Sequence, residues 1–300
     1  MESSQVHLIT FGGGSFAYRR GARRVSLQAE ASGIFKTVTR VTDKTLPNFS
    51  PSAWSQHQRF ILDSKKGFGY WLWKPIILLT RLDEIPSGEI LLYVDAGCEL
   101  NLMGDAPRNR MKQYIDLALQ HGSLAMQMSD NMERGFFPTE QNYSKTSLIS
   151  AINPSQETMT ERQLLAGILF FKNDSTNHDF LQKWLEVSTQ DNYSLLTDSL
   201  NQIEDKNFKS HRHDQSIFSL LYKELGKYYI PDETDWKPDW ITEGAPYPIW
   251  AIRNRTGISV GVMKVPDLID KFAYSAKGVK QTISFKLREI LRRIVKTLRK

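Results

Sequence analysis

Apolar and polar positions alternate along most of the chain as short strands followed by amphipathic helices. The run VHLITF, residues 6–11, is apolar and rich in β-branched side chains, which favours a strand. Residues 18–32 carry apolar side chains at helical spacing, and FKTVTRV, residues 35–41, alternates as a strand does. The opening of the chain therefore predicts a β-α-β unit.

The same alternation continues through the body of the chain. Residues 51–67 and 69–85 predict two helices, and EILLYVD, residues 89–95, predicts a strand buried on both faces. The further predicted elements are a helix at 110–120, strands at 123–128 and 164–171, and helices at 174–188 and 214–225. A polar stretch at 129–162 and an irregular Pro- and Trp-rich segment at 231–257 separate them. This pattern predicts an α/β sheet with a long functional insertion.

Length and composition exclude several classes of protein. A chain of 300 residues with 40% hydrophobic content can bury a large core. The single cysteine, Cys98, excludes an internal disulfide, and we expect it to be buried and inert. The start MESSQVHLIT lacks the charged and apolar regions of a signal peptide, and no window approaches the roughly 18 apolar residues of a membrane span. We therefore expect a cytoplasmic protein.

The positive charge of the chain is concentrated at its end. Of the net charge of +6, the last thirty residues, 271–300, contribute ten Lys or Arg and one acidic residue, Glu289. The remaining residues, 1–270, are net negative, so we predict no nucleic-acid partner. We divide the chain into a main domain at 1–270 and a basic tail at 271–300.

The tail has the pattern of an amphipathic basic helix. Its apolar residues at helical spacing are Ile283, Leu287, Ile290, Leu291, Ile294 and Leu298. Such a helix is typical of peripheral attachment to an anionic membrane surface, which would lie at the inner face of the membrane here. The alternative is a terminal helix that packs on its own domain or on a partner.

The end of the strand at 89–95 carries a candidate for ligand chemistry. Ligands of open α/β sheets bind outside the carboxyl ends of the strands, and Asp95 lies at such an end. Ala96 and Gly97 leave room for a ligand to approach closely. A carboxylate there can hold a divalent cation, which in turn neutralises a diphosphate. The alternative is a carboxylate that caps the following loop.

Three stretches together resemble a known family. They are GFGYWLWKPIILL (67–79), LLYVDAGCELN (91–101) and HRHDQSIFSLL (211–221). They resemble the bacterial glycosyltransferases of the GT-A fold that build surface polysaccharides, in which an apolar strand ends in a DxD-type motif and a later Asp-Gln opens a helix. The resemblance covers roughly residues 5–255 and implies a GT-A-like domain with a mixed, mostly parallel central sheet.

The resemblance also implies an activity. It implies transfer of a sugar from a nucleotide-sugar donor to the hydroxyl of a glycan or lipid-linked acceptor, with Mn²⁺ or Mg²⁺ as cofactor. In this sequence Gly97 stands where the second Asp of DxD is usual, and the next carboxylate is Glu99. An inactive sugar-binding protein of the same fold is therefore an open alternative.

Candidate donor-binding residues lie in several loops. By the resemblance, Phe11 and Gly12 at the end of the first strand would meet the donor nucleotide. Lys74 precedes Pro75, which biases it away from helical dihedrals, so its ammonium could reach a donor phosphate at a break in the chain. Arg253 and Arg255 could stabilise the leaving nucleotide as negative charge develops on it. The alternative for each of these three cations is a solvated surface residue.

The segment at 211–215 carries candidates for catalysis and for metal binding. Asp214 can be the N-cap of the following helix, and the resemblance gives Asp214 and Gln215 a place beside the donor sugar. His213 or His211 could join Asp95 as a metal ligand. Two further residues, Gln163 and Gly167, would shape the acceptor side.

A different class of function is also open. Gly12, Gly14 and Ala17 match the G-x-G-x-x-A turn of dinucleotide-binding folds, with Glu30 or Asp43 as ribose ligand. This pattern would indicate an NAD(P)-binding oxidoreductase. The charged helix start YRRGARR argues against it, because such helices pack tightly on a central strand.

Overall fold

The first ninety residues build strands that alternate with helices. The computed structural model describes residues 5–132, 135–200, 202–236 and 239–259. The first elements are β1 (Val6–Gly12), α1 (Phe16–Ser32), β2 (Thr37–Thr42), α2 (Leu46–Phe49), α3 (Pro51–Asp63), α4 (Gly67–Tyr70), α5 (Trp73–Glu84) and β3 (Ile90–Val94). The predicted β-α-β opening is confirmed.

The remaining described residues add a second set of elements. They are β4 (Glu99–Leu100), α6 (Asp105–His121), β5 (Ser123–Gln127), α7 (Glu140–Tyr143), α8 (Thr146–Ile152), α9 (Gln156–Thr160), β6 (Ile168–Lys172), α10 (Ser175–Tyr193), α11 (Asp214–Glu224), β7 (Tyr229–Pro231) and β8 (Ile249–Trp250). The polar stretch predicted as an insertion thus contains the three short helices α7 to α9. In the irregular segment that follows β7, β8 pairs with β4 as a small antiparallel sheet.

The central sheet is mixed and mostly parallel, as predicted. Its six strands lie in the order β2-β1-β3-β6-β5-β7, and β6 is antiparallel to both of its neighbours while the other pairings are parallel. The carboxyl ends of β1, β3 and β5 therefore share one edge with the start of β6. This edge is where ligands of open α/β sheets bind.

Helices cover both faces of the sheet. Ile9, Phe11, Leu91 and Tyr93 pack against α5, α10 and α11 on one face, whereas Leu8 and Leu92 belong to the core under α1 and α6 on the other. All five residues of β3 have no exposed surface, which confirms a strand buried on both faces.

Helix α1 packs closely on the sheet despite its charged sequence. A Cβ at Gly12 would lie 2.5 Å from the carbonyl oxygen of Tyr18, and one at Gly21 would lie 2.5 Å from that of Ala96. The two glycines therefore allow an approach that any larger residue would block. The charges of YRRGARR, which argued against a helix packed tightly on a central strand, do not prevent this close packing.

The helix predicted at 69–85 begins later than expected. Phe68, Tyr70 and Trp71 have φ angles of 51°, 51° and 61°, so the chain turns sharply before α5 starts at Trp73. The predicted break at Lys74 is wrong, because Lys74 and Pro75 lie in the first turn of α5, where a proline removes no helical hydrogen bond.

The predicted tail lies outside the described residues. The chain divides into Met1–Gly261 and Val262–Lys300, and the second unit contains the predicted amphipathic helix. In the part of the chain that the structure describes, no helix has the length and apolar character needed to cross a membrane.

Candidate functional site

A buried ion pair at the carboxyl edge of the sheet joins two of the three stretches that carry the resemblance. The Nζ atom of Lys74 lies 2.6 Å from Oδ2 of Asp214. Lys74 stands in the first turn of α5 and Asp214 is the first residue of α11, so both helices begin at this point. The side chains are 3% and 7% exposed, so water does not screen their attraction.

Asp95 brings the third stretch to the same ammonium group. Its Oδ1 atom lies 3.8 Å from Nζ of Lys74, but its side chain is 41% exposed. Lys74 therefore links one enclosed carboxylate to one that faces solvent. The alternative, that Lys74 is a solvated surface residue, is wrong, because its charge is paired inside the protein.

The electrostatics of the cluster keep it ionised at neutral pH. Burial lowers the pKa of Lys74, but the carboxylates of Asp214 and Asp95 outweigh that effect and raise it above the ordinary value. Burial raises the pKa of Asp214 to about 6, and Lys74 opposes this rise. Asp214 is thus ionised beside the Lys74 ammonium above about that pH.

The orientation of Asp95 is fixed by its neighbours in the sheet. The hydroxyl of Tyr93 donates a hydrogen bond to Oδ1, and the Asp95 N–H donates to the carbonyl oxygen of Gly167 at 2.8 Å. A Cβ at Gly167 would lie 2.8 Å from Oδ2 of Asp95, so only glycine leaves room for the carboxylate there. No described residue donates a hydrogen bond to Oδ2, which makes this atom available to a ligand.

Gln215 is held through its amide nitrogen. Nε2 donates to Oε1 of Gln163 at 3.1 Å and to the sulfur of Met128 at 3.3 Å. The Gln163 amide is itself oriented by donation to Oε2 of Glu140 at 3.1 Å. The side-chain oxygen Oε1 of Gln215 forms no hydrogen bond with the described residues, so this end of the amide is free to bind a ligand.

The two histidines bind a neighbouring loop. His213 donates from Nδ1 to the carbonyl oxygen of Leu196 at 2.9 Å, and its Nε2 lies 3.5 Å from Oδ1 of Asp198. Nε2 of His211 lies 3.0 Å from the carbonyl oxygen of Leu195. Burial lowers the pKa of both rings. His213, not Asp214, is the N-cap of α11, and its side chain makes no cap hydrogen bond.

The predicted metal ligands are only partly assembled. Among the described residues, no group of three or more His, Cys, Asp or Glu side chains is arranged to hold a metal ion. Glu99 is 1% exposed, and its carboxylate accepts hydrogen bonds from Asn254 and Ser259. Of the three carboxylates Asp95, Glu99 and Asp214, Asp95 is the one that faces solvent, and a cation there would need further ligands from water or from a bound phosphate.

Arg253 lies beside the turn that follows Asp95. A Cβ at Gly97 would be 3.4 Å from Cα of Arg253, and the N–H of Asn254 donates to the carbonyl oxygen of Gly97 at 2.8 Å. The side chain of Arg253 is exposed, and its charge helps to lower the pKa of Arg212, after the larger effect of burial. Arg255 instead lies over the ring of Tyr18, at 4.9 Å.

Phe11 and Gly12 contribute to packing at this edge. The ring of Phe11 stacks on Trp73 with centroids 3.8 Å apart, and both residues are buried. Gly12 lies directly beneath α1. A ligand could therefore meet only the backbone of the loop after β1, and not the predicted Phe11 side chain.

The dinucleotide fingerprint lacks its expected surroundings. Phe68 covers Gly14, whose Cβ would lie 3.2 Å from that of Phe68. Glu30 is exposed on α1, and Asp43 forms an ion pair with Arg19 at 2.6 Å. Neither acidic side chain is placed as a free ribose ligand.

Sequence reasoning missed several residues that support the site. Tyr93 precedes Asp95 by two positions in a strand, so the two side chains share a face, and strand periodicity could have indicated this contact. Arg24, Met128 and Arg212 carry no comparable signal, because their partners are distant in the sequence. Burial raises the pKa of the Cys98 thiol, so it stays protonated and is no nucleophile.

Two surface clefts lie apart from these residues. One is lined by Arg110, Glu233 and Tyr247 among others, and the second by Glu161, Lys223 and neighbouring residues. Neither is lined by any predicted site residue, and we assign them no role.

Comparisons with known proteins give similarity in structure only. No family model and no curated protein matches the chain. Mouse xyloside xylosyltransferase 1, in its apo form, is 9% identical with a TM-score of 0.41, and the match covers 85% of this chain and 99% of that one. A glycosyltransferase involved in the glycosylation of the major capsid of PBCV-1 is 10% identical with a TM-score of 0.40, covering 82% and 91%. The galactosyltransferase LgtC, in complex with donor and acceptor sugar analogs, is 12% identical with a TM-score of 0.37, covering 93% and 98%. Similarities at this level do not assign the chain to a family.

Proposed function

We propose that this protein is a glycosyltransferase of the GT-A type, which moves a sugar from a nucleotide-diphosphate donor to a hydroxyl group of a glycan or lipid-linked acceptor. The observation that carries the proposal is the cluster of Lys74, Asp95 and Asp214. These residues come from the three stretches on which the sequence resemblance depends, and they meet at the ligand-binding edge of the sheet.

The charges around this edge suit a sugar diphosphate. Arg253 is exposed beside the Asp95 turn, and Arg212 is close enough for the two guanidinium groups to repel each other. Paired guanidinium groups are suited to bind phosphate oxygens and to stabilise the nucleotide diphosphate as it leaves. Two helices, α5 and α11, also direct their positive ends to this edge.

The remaining side chains suit the sugar. We assign Asp214 and the free carbonyl oxygen of Gln215 to the donor sugar near its anomeric carbon. The acceptor hydroxyl attacks that carbon while the bond from the sugar to the phosphate breaks. Its proton passes to a carboxylate in an inverting reaction, or to the departing phosphate in a retaining one. Gln163 and Gly167 hold Gln215 and Asp95 in place and need not touch the acceptor.

We propose a divalent cation, Mn²⁺ or Mg²⁺, as cofactor, held by Asp95. The unpaired Oδ2 atom supports this assignment, since Mg²⁺ is often bound by one or two carboxylates together with substrate phosphates. Such a cation would neutralise negative charge on the diphosphate. His213 is a less suitable ligand, because its ring is engaged with Leu196 and lies near Asp198.

Calorimetry with a panel of UDP- and GDP-sugars, with and without Mn²⁺, tests the proposal. We expect one donor to bind in a Mn²⁺-dependent manner and to release its nucleotide diphosphate slowly by hydrolysis. Asp95→Asn should lower donor affinity by at least about tenfold, as expected for the loss of a charge-assisted contact. Asp63→Asn is the matched control, because Asp63 is exposed at the end of α3 and its ion-pair partner is Arg59 of the same helix.

The other outcomes separate the alternatives. Failure of every sugar nucleotide to bind would reject the proposal, and binding of NAD instead would favour the oxidoreductase. Donor binding without hydrolysis, and without transfer to any acceptor, would indicate an inactive sugar-binding protein.

A further inference from the structure

Arg24 is a buried cation that binds backbone carbonyl groups. It lies on α1 and is 4% exposed. The two N–H bonds of its NH2 atom are shared among the carbonyl oxygens of Ala96, Cys98 and Asn254, at 3.2, 2.6 and 3.0 Å, and its NH1 atom donates to that of Thr256 at 2.5 Å. Two of these carbonyls belong to the turn that follows Asp95, and two belong to the segment that follows Arg253.

The two segments also contact each other at this point. The N–H of Asn254 donates to the carbonyl oxygen of Gly97, and the Asn254 side chain donates to Glu99. Arg24 therefore occupies the junction of two segments that lie more than 150 residues apart in the sequence. Gly21 allows α1 to come near enough, since any Cβ there would collide with the carbonyl of Ala96.

A guanidinium group suits the chemistry of the junction better than an ammonium group does. A buried backbone carbonyl without a hydrogen bond is costly, and here several converge on one place. A guanidinium carries five donors in a rigid fork, whereas a lysine ammonium carries three on a single atom. Burial lowers the pKa of Arg24 and the nearby Glu99 raises it, and an arginine remains charged under such conditions.

We propose that Arg24 is a positioning residue of the candidate site. It fastens the turn at 95–98 to the segment at 253–256, so that Asp95 and Arg253 are presented together to one ligand. The identity of that ligand, a nucleotide diphosphate, rests on the proposed function. The link that Arg24 forms between the two segments does not rest on the proposed function. The experiment therefore measures this link and ligand binding separately.

Amide hydrogen exchange measures how strongly Arg24 holds the segments 95–98 and 253–256 together, which is the fastening. Arg24→Met keeps the length of the side chain and removes its donors. We expect the amide of Asn254 to exchange at least about tenfold faster, the factor expected for one net hydrogen bond, with faster exchange also across 96–98. Amides of β1 and β3 should keep their protection. Arg23→Met is the matched control, because Arg23 is an exposed neighbour on the same helix.

Ligand binding measures the positioning. With UDP and GDP as probes in the presence of Mn²⁺, the better ligand should bind Arg24→Met about tenfold more weakly than wild type, if one charge-assisted contact is misplaced. Arg24→Lys, which retains the charge and some donors, should recover part of that loss. It also serves as the test variant if Arg24→Met does not fold.

Each of the other possible results overturns one part of the proposal or the proposed function. Unchanged exchange at 96–98 and 254, or an equal increase throughout the sheet, would overturn the fastening. Local exchange as expected with unchanged nucleotide affinity would overturn the positioning role. If wild type binds neither nucleotide while the exchange result holds, the fastening stands and the proposed function fails.

Discussion

Replacement of Lys74 by methionine would expose the free-energy cost of the buried carboxylate at Asp214. Methionine is similar to lysine in length and fills the same apolar space, so the main change is the loss of the ammonium group. Asp214 would then be buried without its partner at 2.6 Å. The other carboxylate of the cluster, Asp95, is 41% exposed and keeps its hydration.

The size and pH dependence of the effect follow from the pKa of Asp214. Its rise from 3.8 to about 6 occurs with Lys74 present and corresponds to about 3 kcal/mol against the ionised form. Because Lys74 lowers this pKa, its removal raises the pKa further. Breaking one partner out of a buried pair costs about 3–5 kcal/mol.

The sign of the pH dependence can be worked out from these shifts. Because the folded pKa of Asp214 lies above its unfolded value, the native state binds more protons than the unfolded state in that interval, and stability falls as the pH rises through it. In Lys74→Met the interval extends to higher pH. The contribution of Lys74, whose pKa is raised, is present in wild type at both pH 5 and pH 8 and is lost in the variant at both. We therefore expect the variant to lose about 3–5 kcal/mol at pH 8 and clearly less at pH 5.

Urea unfolding at these two pH values is the assay. The series contains wild type, Lys74→Met, Asp214→Asn and the double variant, with the exposed Lys66→Met as control. The double variant should be more stable than Lys74→Met, since it no longer buries an unpaired charge. Equal losses at both pH values, or strictly additive losses in the double variant, would refute the reasoning.

Two further predictions concern residues that support the site. Gly167→Ala places a Cβ 2.8 Å from Oδ2 of Asp95 and should displace this carboxylate. Calorimetry should show at least about tenfold weaker binding of the donor identified in wild type, while the melting temperature changes little. Unchanged affinity would mean that the position of the Asp95 carboxylate does not matter for donor binding. Glu140→Gln removes the carboxylate 2.9 Å from the buried ammonium of Lys223 and leaves it Glu161, at 3.4 Å, as remaining carboxylate, so urea unfolding should show a loss of about 2 kcal/mol or more. The exposed Glu186→Gln should change stability by less than about 1 kcal/mol, and a similar loss in both variants would contradict the argument.

Local sequence patterns predicted the framework of this edge. The apolar run of β3 indicated a strand buried on both faces, and the rule for strand ends then located Asp95 correctly. Both conclusions depend only on neighbouring residues. The short helices α7 to α9 were missed because their sequence is polar, and the fully buried Glu140 is tolerated there through Lys223, which lies 83 residues further on.

The errors concern residues whose environment is set by distant partners. Lys74 was expected at a chain break because of Pro75, but the break falls at three aromatic residues with positive φ, which no propensity predicts. The charges of YRRGARR argued against a helix packed tightly on a central strand, yet Arg24 is buried, and four carbonyl groups from elsewhere in the chain surround its guanidinium. Such pairings arise from topology and leave no local pattern.

The charge balance of the site gives a reason to expect metal dependence that is separate from any motif. Lys74 lies between two carboxylates, Asp214 at 2.6 Å and Asp95 at 3.8 Å, and the guanidinium groups of Arg212 and Arg253 add two positive charges. These five side chains then leave a single net positive charge at neutral pH, which is less than the negative charge that the diphosphate of a sugar nucleotide carries. Because the second carboxylate of the usual motif is replaced by Gly97, a cation bound at Asp95 would add its charge with little offset. The glycine at this position would thus remove a ligand from the proposed metal site and would increase the attraction of a metal-bound site for the proposed donor. The dependence of donor affinity on Mn²⁺ would measure which of these two effects is larger.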